Sequence, residues 1–285
     1  MSPGRGIVGH VHADDHAHPT PAASAPRWAR YVACGDSFTE GLWDAPDGRQ
    51  APQRGWADQL ASHLSRRRVA AGLAPLEYAN LAVRGRLMGP ILREQVPAAL
   101  ELQPDLVSII GGGNDILRPA VDVDRLAAEL EAVVARVRAT GADVLLGTGF
   151  DTRQSPLVKA TRARVGVYNA DIWSIARRHG AYVLDAWGMR SLLDWRMWSE
   201  DRIHMTTDGH ARVAQAALVG LGQPPERADW DDPLAPAPPV PRLDRARADA
   251  RWFREHAYPW ATRRLRGHSS GDLRMPKRPV PLPVE

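Results

Sequence analysis

At 285 residues, 44% of them apolar, the chain holds enough material for one α/β core with an appendage, or for two small domains. No window approaches 18 uninterrupted apolar residues, which argues against a membrane-spanning helix, and the single cysteine, Cys34, excludes an intrachain disulfide framework. The net charge of +4 is uneven: positions 241–285 carry 11 Lys/Arg against 5 Asp/Glu, so the surplus belongs to a basic C-terminal segment on a near-neutral body. No recognition motif accompanies those basic residues, so a solvated tail and no nucleic-acid partner are expected. The first 28 residues lack the apolar stretch of a secretory signal, and a lone cysteine suits a reducing compartment; the expected location is the cytoplasm.

In chain order, residues 1–27 are dominated by Gly, Pro, Ala, Ser and His and read as a disordered arm. Arg30 to Gly35 reads as a first strand ending in a Gly-Asp-Ser turn. Trp56 to Ala71 has helical spacing, with Leu60 and Leu64 four apart. Strands follow at 77–81 and 106–110, the latter nearly all apolar, as suits a parallel sheet covered on both faces. A helix over 124–140 carries Leu126, Leu130, Val133, Val134 and Val137 on one side and meets Gly141. Strands at 144–146 and 182–184 flank a helix over 158–178. Thr206 is placed to cap a helix running to about Val219. Strands alternating with helices imply right-handed βαβ units, hence one three-layer αβα domain over 28–222 with a five-stranded parallel sheet. Residues 223–241 form a proline-rich linker. Residues 242–285 form a basic extension with one helix, interrupted near Pro259 and anchored by Trp252, Phe253, Trp260 and Leu265; the last 20 residues read as loose.

Four short blocks fall where such a sheet presents ligands, beyond the C-terminal ends of its strands. Ser37 follows the first strand, and its hydroxyl becomes a nucleophile once a base takes its proton. Gly85 follows the second, where a missing side chain lets a backbone N–H approach a substrate. Asn114, in Gly112-Gly113-Asn114-Asp115, follows the third, and its amide can donate to an oxyanion. Asp201 and His204 lie three apart before the last helix of the domain; Asp201 can fix the imidazole tautomer that leaves the other nitrogen basic, although a backbone carbonyl can do the same. Taken singly, each has a plainer reading as a capping serine, a flexible glycine turn or a surface Asp-x-x-His. No Gly-x-x-x-x-Gly-Lys phosphate loop and no Cys/His cluster at ligand spacing competes, and neither metal nor cofactor is expected.

In this order, Ser37, Gly85, Asn114 and His204, with Asp201 three residues before the histidine, resemble the four blocks of the SGNH hydrolase superfamily, the GDSL esterases and lipases. The first block reads Gly-Asp-Ser-Phe here rather than Gly-Asp-Ser-Leu. The resemblance covers about 30–222. It implies a flavodoxin-like fold with a five-stranded sheet, a Ser37–His204–Asp201 triad, and an oxyanion hole from the Ser37 and Gly85 N–H groups with the Asn114 amide. The C-terminal extension, including Ser269-Ser270-Gly271-Asp272, looks similar to those of actinobacterial members.

Other residues carry plainer expectations. Cys34 reads as a small buried hydrophobe, His210 as structural, and His10, His12, His16 and His18 as part of a polar arm. Trp43, Trp195 and Trp198 flank the blocks as pocket or core residues, and Arg84 and Arg86 read as solvated. The expected function is a serine esterase acting on a small-molecule ester. Acetylated sugars, lysophospholipids, thioesters and simple esters all require the same groups. The alternatives are a catalytically silent carbohydrate- or lipid-binding module on the same fold, and an interaction protein working through its basic C-terminus. On sequence alone, removing residues from Pro241 onward is expected to leave some ester cleavage.

Overall fold

Successive residues of a strand face opposite ways, so a strand buried on both sides must be apolar throughout, and its residues must sort alternately into two cores. The computed structural model, which describes residues 25–44, 53–155, 158–259, 262, 271 and 273–285, shows this sorting. The strands are β1 (Arg30–Gly35), β2 (Glu77–Asn80), β3 (Leu106–Ile110), β4 (Asp143–Gly147), β5 (Tyr182–Leu184) and β6 (Arg278–Pro283). Val32 and Cys34, Val107 and Ile109, Val144 and Leu146 enter one core. Tyr31 and Ala33, Leu106 and Ile110, and Leu145 enter the other. The long helices are α1 (Trp56–Ala70), α2 (Val123–Ala139), α3 (Arg162–His179), α4 (Thr207–Gly220) and α5 (Arg242–Trp252). The first core is closed by α2, α3 and a helical stretch at 88–101, the second by α1 and α4. Cys34 is fully buried, and burial pushes its thiol well above the ordinary range, as suits a packing residue.

The sheet order is β5-β4-β3-β1-β2-β6, with the first five strands parallel. The sheet therefore has six strands among the described residues, not the five expected. The sixth corrects the reading of the last residues as loose: β6 pairs antiparallel with β2, Tyr78 opposite Leu282 and Asn80 opposite Arg278. Its Arg-Pro-Val-Pro-Leu-Pro sequence looks like linker, but Pro279, Pro281 and Pro283 occupy alternate positions. Their missing N–H groups thus face outward from the edge, while the N–H of Val284 donates to Leu76 O at 2.9 Å. The 88–101 stretch was not expected from sequence; Gly89, Pro90 and Pro97 interrupt its helical pattern, and its middle turn, Ile91–Gln95, is wound as a π-helix. The expected helix at 158–178 begins properly only at Arg162, after a 3₁₀ turn at Lys159–Thr161.

The chain reverses its direction of winding between β1 and β3, the point at which an open α/β sheet leaves a crevice at its C-terminal edge. Among the described residues no helix is long and apolar enough to cross a membrane. The arm residues up to 24, with their four histidines, lie outside the described residues, as do Trp260, Leu265, Ser269, Ser270 and Asp272.

Candidate active site

Ser37 opens a one-turn helix, Ser37–Glu40, directly beyond β1. The turn is tight. A Cβ added to Gly35 would lie 2.5 Å from Thr39 Oγ1 and 2.6 Å from the Ile110 carbonyl, so only glycine fits there. Asp36 caps the helix, accepting from the Phe38 N–H at 3.1 Å. The buried side chain of Gln95 accepts from the Gly35 N–H at 2.7 Å and donates back to the Gly35 carbonyl at 3.0 Å, which leaves neither peptide group unpaired. At the far end of the turn, Lys277 Nζ donates to Glu40 O at 2.5 Å and to Asp58 Oδ2 at 2.6 Å.

The strand-two block is bound to this turn. Glu40 is buried, and its carboxylate accepts from the Arg84 backbone N–H at 2.6 Å and from Arg84 Nε at 2.9 Å. Arg84 is therefore part of a largely buried ion pair rather than a solvated residue. Gly85 follows it at φ 73 and is not among the residues lining the main cleft. Asn114 sits between the two blocks: its Nδ2 donates to Asp36 Oδ2 at 3.2 Å and to the Arg86 carbonyl at 3.1 Å. Gly112 makes that approach possible, with φ 93 and no room for a side chain, since an added Cβ would meet the Tyr168 ring at 2.9 Å.

Opposite Ser37 lies the loop before α4. Thr206 caps that helix, accepting from the Gly209 N–H at 3.2 Å, as the sequence predicts. Within the loop, Asp201 Oδ1 accepts from Ser199 Oγ at 2.7 Å and from the Ile203 and His204 N–H groups at 2.9 Å each. Its Oδ2 accepts from His204 Nδ1 at 2.6 Å. The other ring nitrogen, Nε2, accepts from Ser37 Oγ at 3.0 Å. The partner of His204 Nδ1 is thus the Asp201 carboxylate and not a backbone carbonyl. Arg202 takes φ 57, a left-handed conformation that costs a non-glycine residue about 1–2 kcal/mol.

The environments of the acids differ. Burial by itself pushes Asp201 up, but the hydrogen bonds and charge of His204, with the Ser199 hydroxyl, hold its carboxyl well below the usual range. Burial pushes Asp36 up to about 6 despite the Phe38 N–H. His210 is fully buried, stacks 6.1 Å from Phe38 and accepts from the Trp56 N–H at 3.3 Å; burial pushes it down to about 4, so it stays neutral at pH 7. It is structural, as expected.

A cleft opens from Ser37 and His204 between the loops after β3 and β4 and the 192–205 segment. Its walls are mostly apolar, including Ile116, Leu117, Phe150, Leu193, Trp195 and Trp198. Phe38, Phe150 and Trp198 pack edge to face at 5.0 and 5.3 Å. Trp195 and Trp198 therefore belong to the cleft, whereas Trp43 lies 6.4 Å from His256 and outside it. Three contributors escape the sequence reading. Asp36 was visible only as part of the Gly-Asp-Ser block; Gln95 lies in a helix with no periodic signal; Trp252, read as a core anchor, instead donates its indole N–H to the Asp201 carbonyl at 3.0 Å.

Comparison with known proteins gives a family and a fold. The model of the GDSL-like lipase/acylhydrolase family matches residues 33–212. An α/β hydrolase enzyme from the metagenome of Lake Arreo, Spain, is 26% identical; the match covers 68% of this chain and 95% of that one, with a TM-score of 0.56. An acetylxylan esterase from Geobacillus stearothermophilus, 22% identical, has the same fold, with 70% and 97% covered and a TM-score of 0.57. Among curated proteins, none matches the chain.

Proposed function

The chain belongs to the GDSL-like lipase/acylhydrolase family, and from that premise we propose that it is a serine esterase that cleaves a carboxylic ester through a covalent acyl-serine. One observation carries the reading: the unbroken hydrogen-bond relay from Ser37 Oγ to His204 Nε2 and from His204 Nδ1 to Asp201 Oδ2. As His204 takes the Ser37 proton, Ser37 Oγ bonds to the ester carbonyl carbon, and Asp201 stabilises the imidazolium that forms. The Ser37 and Gly85 N–H groups and the Asn114 amide receive the oxyanion. Both Asn114 hydrogens are engaged at rest, so its donation requires Asp36 or the Arg86 carbonyl to be exchanged or to share. The C–O bond to the alcohol then breaks, His204 protonates the leaving oxygen, and water repeats the sequence to release the acid.

The apolar cleft favours an ester whose acyl or alcohol part is apolar over a bare acetylated sugar. The test is hydrolysis of p-nitrophenyl esters of increasing acyl length by the wild type and by Ser37→Ala. The wild type should cleave them, preferring chains longer than acetyl, while Ser37→Ala falls by about 10⁴-fold or more and still melts cooperatively. Wild-type turnover in Ser37→Ala would overturn the mechanism.

A further inference from the structure

Several contacts to the candidate catalytic edge come from residues beyond 212, outside the stretch matched by the family. Helix α5 has no buried residue, and its Leu243 is exposed, so no apolar core of its own holds it in place. What fixes it is a cluster around Arg202. The Trp252 indole donates to the Asp201 carbonyl at 3.0 Å. The Arg202 guanidinium lies over the Trp252 ring at 4.7 Å and over the cleft residue Trp195 at 5.8 Å, and it donates to Asp249 Oδ1 at 2.7 Å. One turn on, His256 meets Trp43, which follows the Ser37 helix, and Ala257 is buried.

We infer that α5 is a strap on the base loop, with Trp252 as the positioning residue that fixes the Asp201–Arg202 peptide and, through it, His204. The inference rests on the serine-esterase reading. Its physical basis is the backbone at Arg202: a left-handed non-glycine residue is held only where surrounding contacts over-determine it. Within the loop the Arg202 N–H donates to the Ser199 carbonyl at 2.9 Å and the Ile203 N–H to Asp201 Oδ1 at 2.9 Å. The contacts from outside it are the indole on the preceding carbonyl and the aromatic and carboxylate partners of the guanidinium, of which α5 supplies all but Trp195. Nothing in α5 touches the reacting atoms. Its effect is therefore on where His204 delivers protons.

That location of the effect gives a readout that a merely structural role would not move. A p-nitrophenolate leaves without help, whereas a phenolate needs more of the proton from His204. In the full chain, Trp252→Phe keeps a ring beside Arg202 but loses the N–H, and Asp249→Asn weakens the ion pair; both alter one surface contact and should fold. Trp252→Phe should lower kcat/KM for a phenyl ester about tenfold, and for the p-nitrophenyl ester of the same acid only about threefold. Asp249→Asn should shift the same ratio in the same direction, by less. Equal losses on the two esters, or no loss on either, would overturn the strap. Ser37→Ala measured alongside separates the two readings. If that variant is inactive while Trp252→Phe matches the wild type, the strap alone fails; if Ser37→Ala keeps turnover, the esterase reading fails and the strap falls with it.

Discussion

The serine side and the histidine side of the candidate triad are held by different means. Ser37 follows a central strand, and the turn around it is fixed from behind by the buried Gln95 on the N–H and C=O of Gly35, by the buried Glu40 on Arg84, and, from the surface, by Lys277 on the end of the helical turn. Asp201 and His204 lie in a loop with one left-handed residue, fixed by short-range hydrogen bonds within the loop and by side chains of an exposed helix. A strand-end anchor is part of the fold, so disturbing it should register as lost stability. A loop anchor made of a partly exposed indole and ion pair is nearly independent of the cores, so disturbing it should register as lost rate.

Variants can break or sharpen that contrast. The largest effect is expected at the histidine itself: His204→Ala should reduce ester hydrolysis by about 10⁴-fold with only a modest fall in melting temperature from the lost Asp201 partner, as measured by steady-state kinetics and thermal denaturation. Asn114→Ala, which removes the link between Asp36 on the serine side and the Arg86 carbonyl, should lower kcat by about 10²–10³-fold. Gln95→Ala tests the serine side from behind. It strands the N–H of Gly35 in the core, while the Gly35 carbonyl keeps the Val83 N–H, and should cost about 1–3 kcal/mol in urea unfolding, with a smaller effect on rate in the molecules that remain folded. The smallest effect concerns pH. The Asp201 carboxyl is held below its ordinary value in the folded state, so its contribution to stability is full above the unfolded value near ~4 and is lost as pH falls through the folded one. Wild type should therefore be more stable than Asp201→Asn at pH 7, and the gap in melting temperature should narrow as pH drops below about 4. A gap that widens on acidification would contradict the assigned direction.

What was legible in the sequence follows the same division. β1, β3 and β4 are short apolar runs that could only be covered on both faces, and the candidate blocks after β1 and β3 could be placed because strand ends determine where a parallel sheet presents them. Asp201 and His204 were legible as a pair because three residues of local loop bring them together. The contributions of Gln95, Lys277 and Trp252 were not, because each depends on contacts 51 to 237 residues apart in sequence, which no periodicity reports. β6 was hidden by its prolines, which mark a linker in composition and an edge strand in register. The sequence also suggests that some hydrolysis survives removal of residues from Pro241 onward. The contacts of Trp252 with the base loop and of Lys277 with the serine turn make a partial loss the expected outcome.

Everything turns on whether Ser37 is an activated nucleophile. A fluorophosphonate probe reacts with a serine whose proton is drawn off by a base, and intact-mass and peptide analysis locate the adduct. The serine-esterase account predicts a single adduct on Ser37 in the wild type, much slower labelling in His204→Ala, and none in Ser37→Ala. An unlabelled wild type, or an adduct that survives Ser37→Ala, would contradict it.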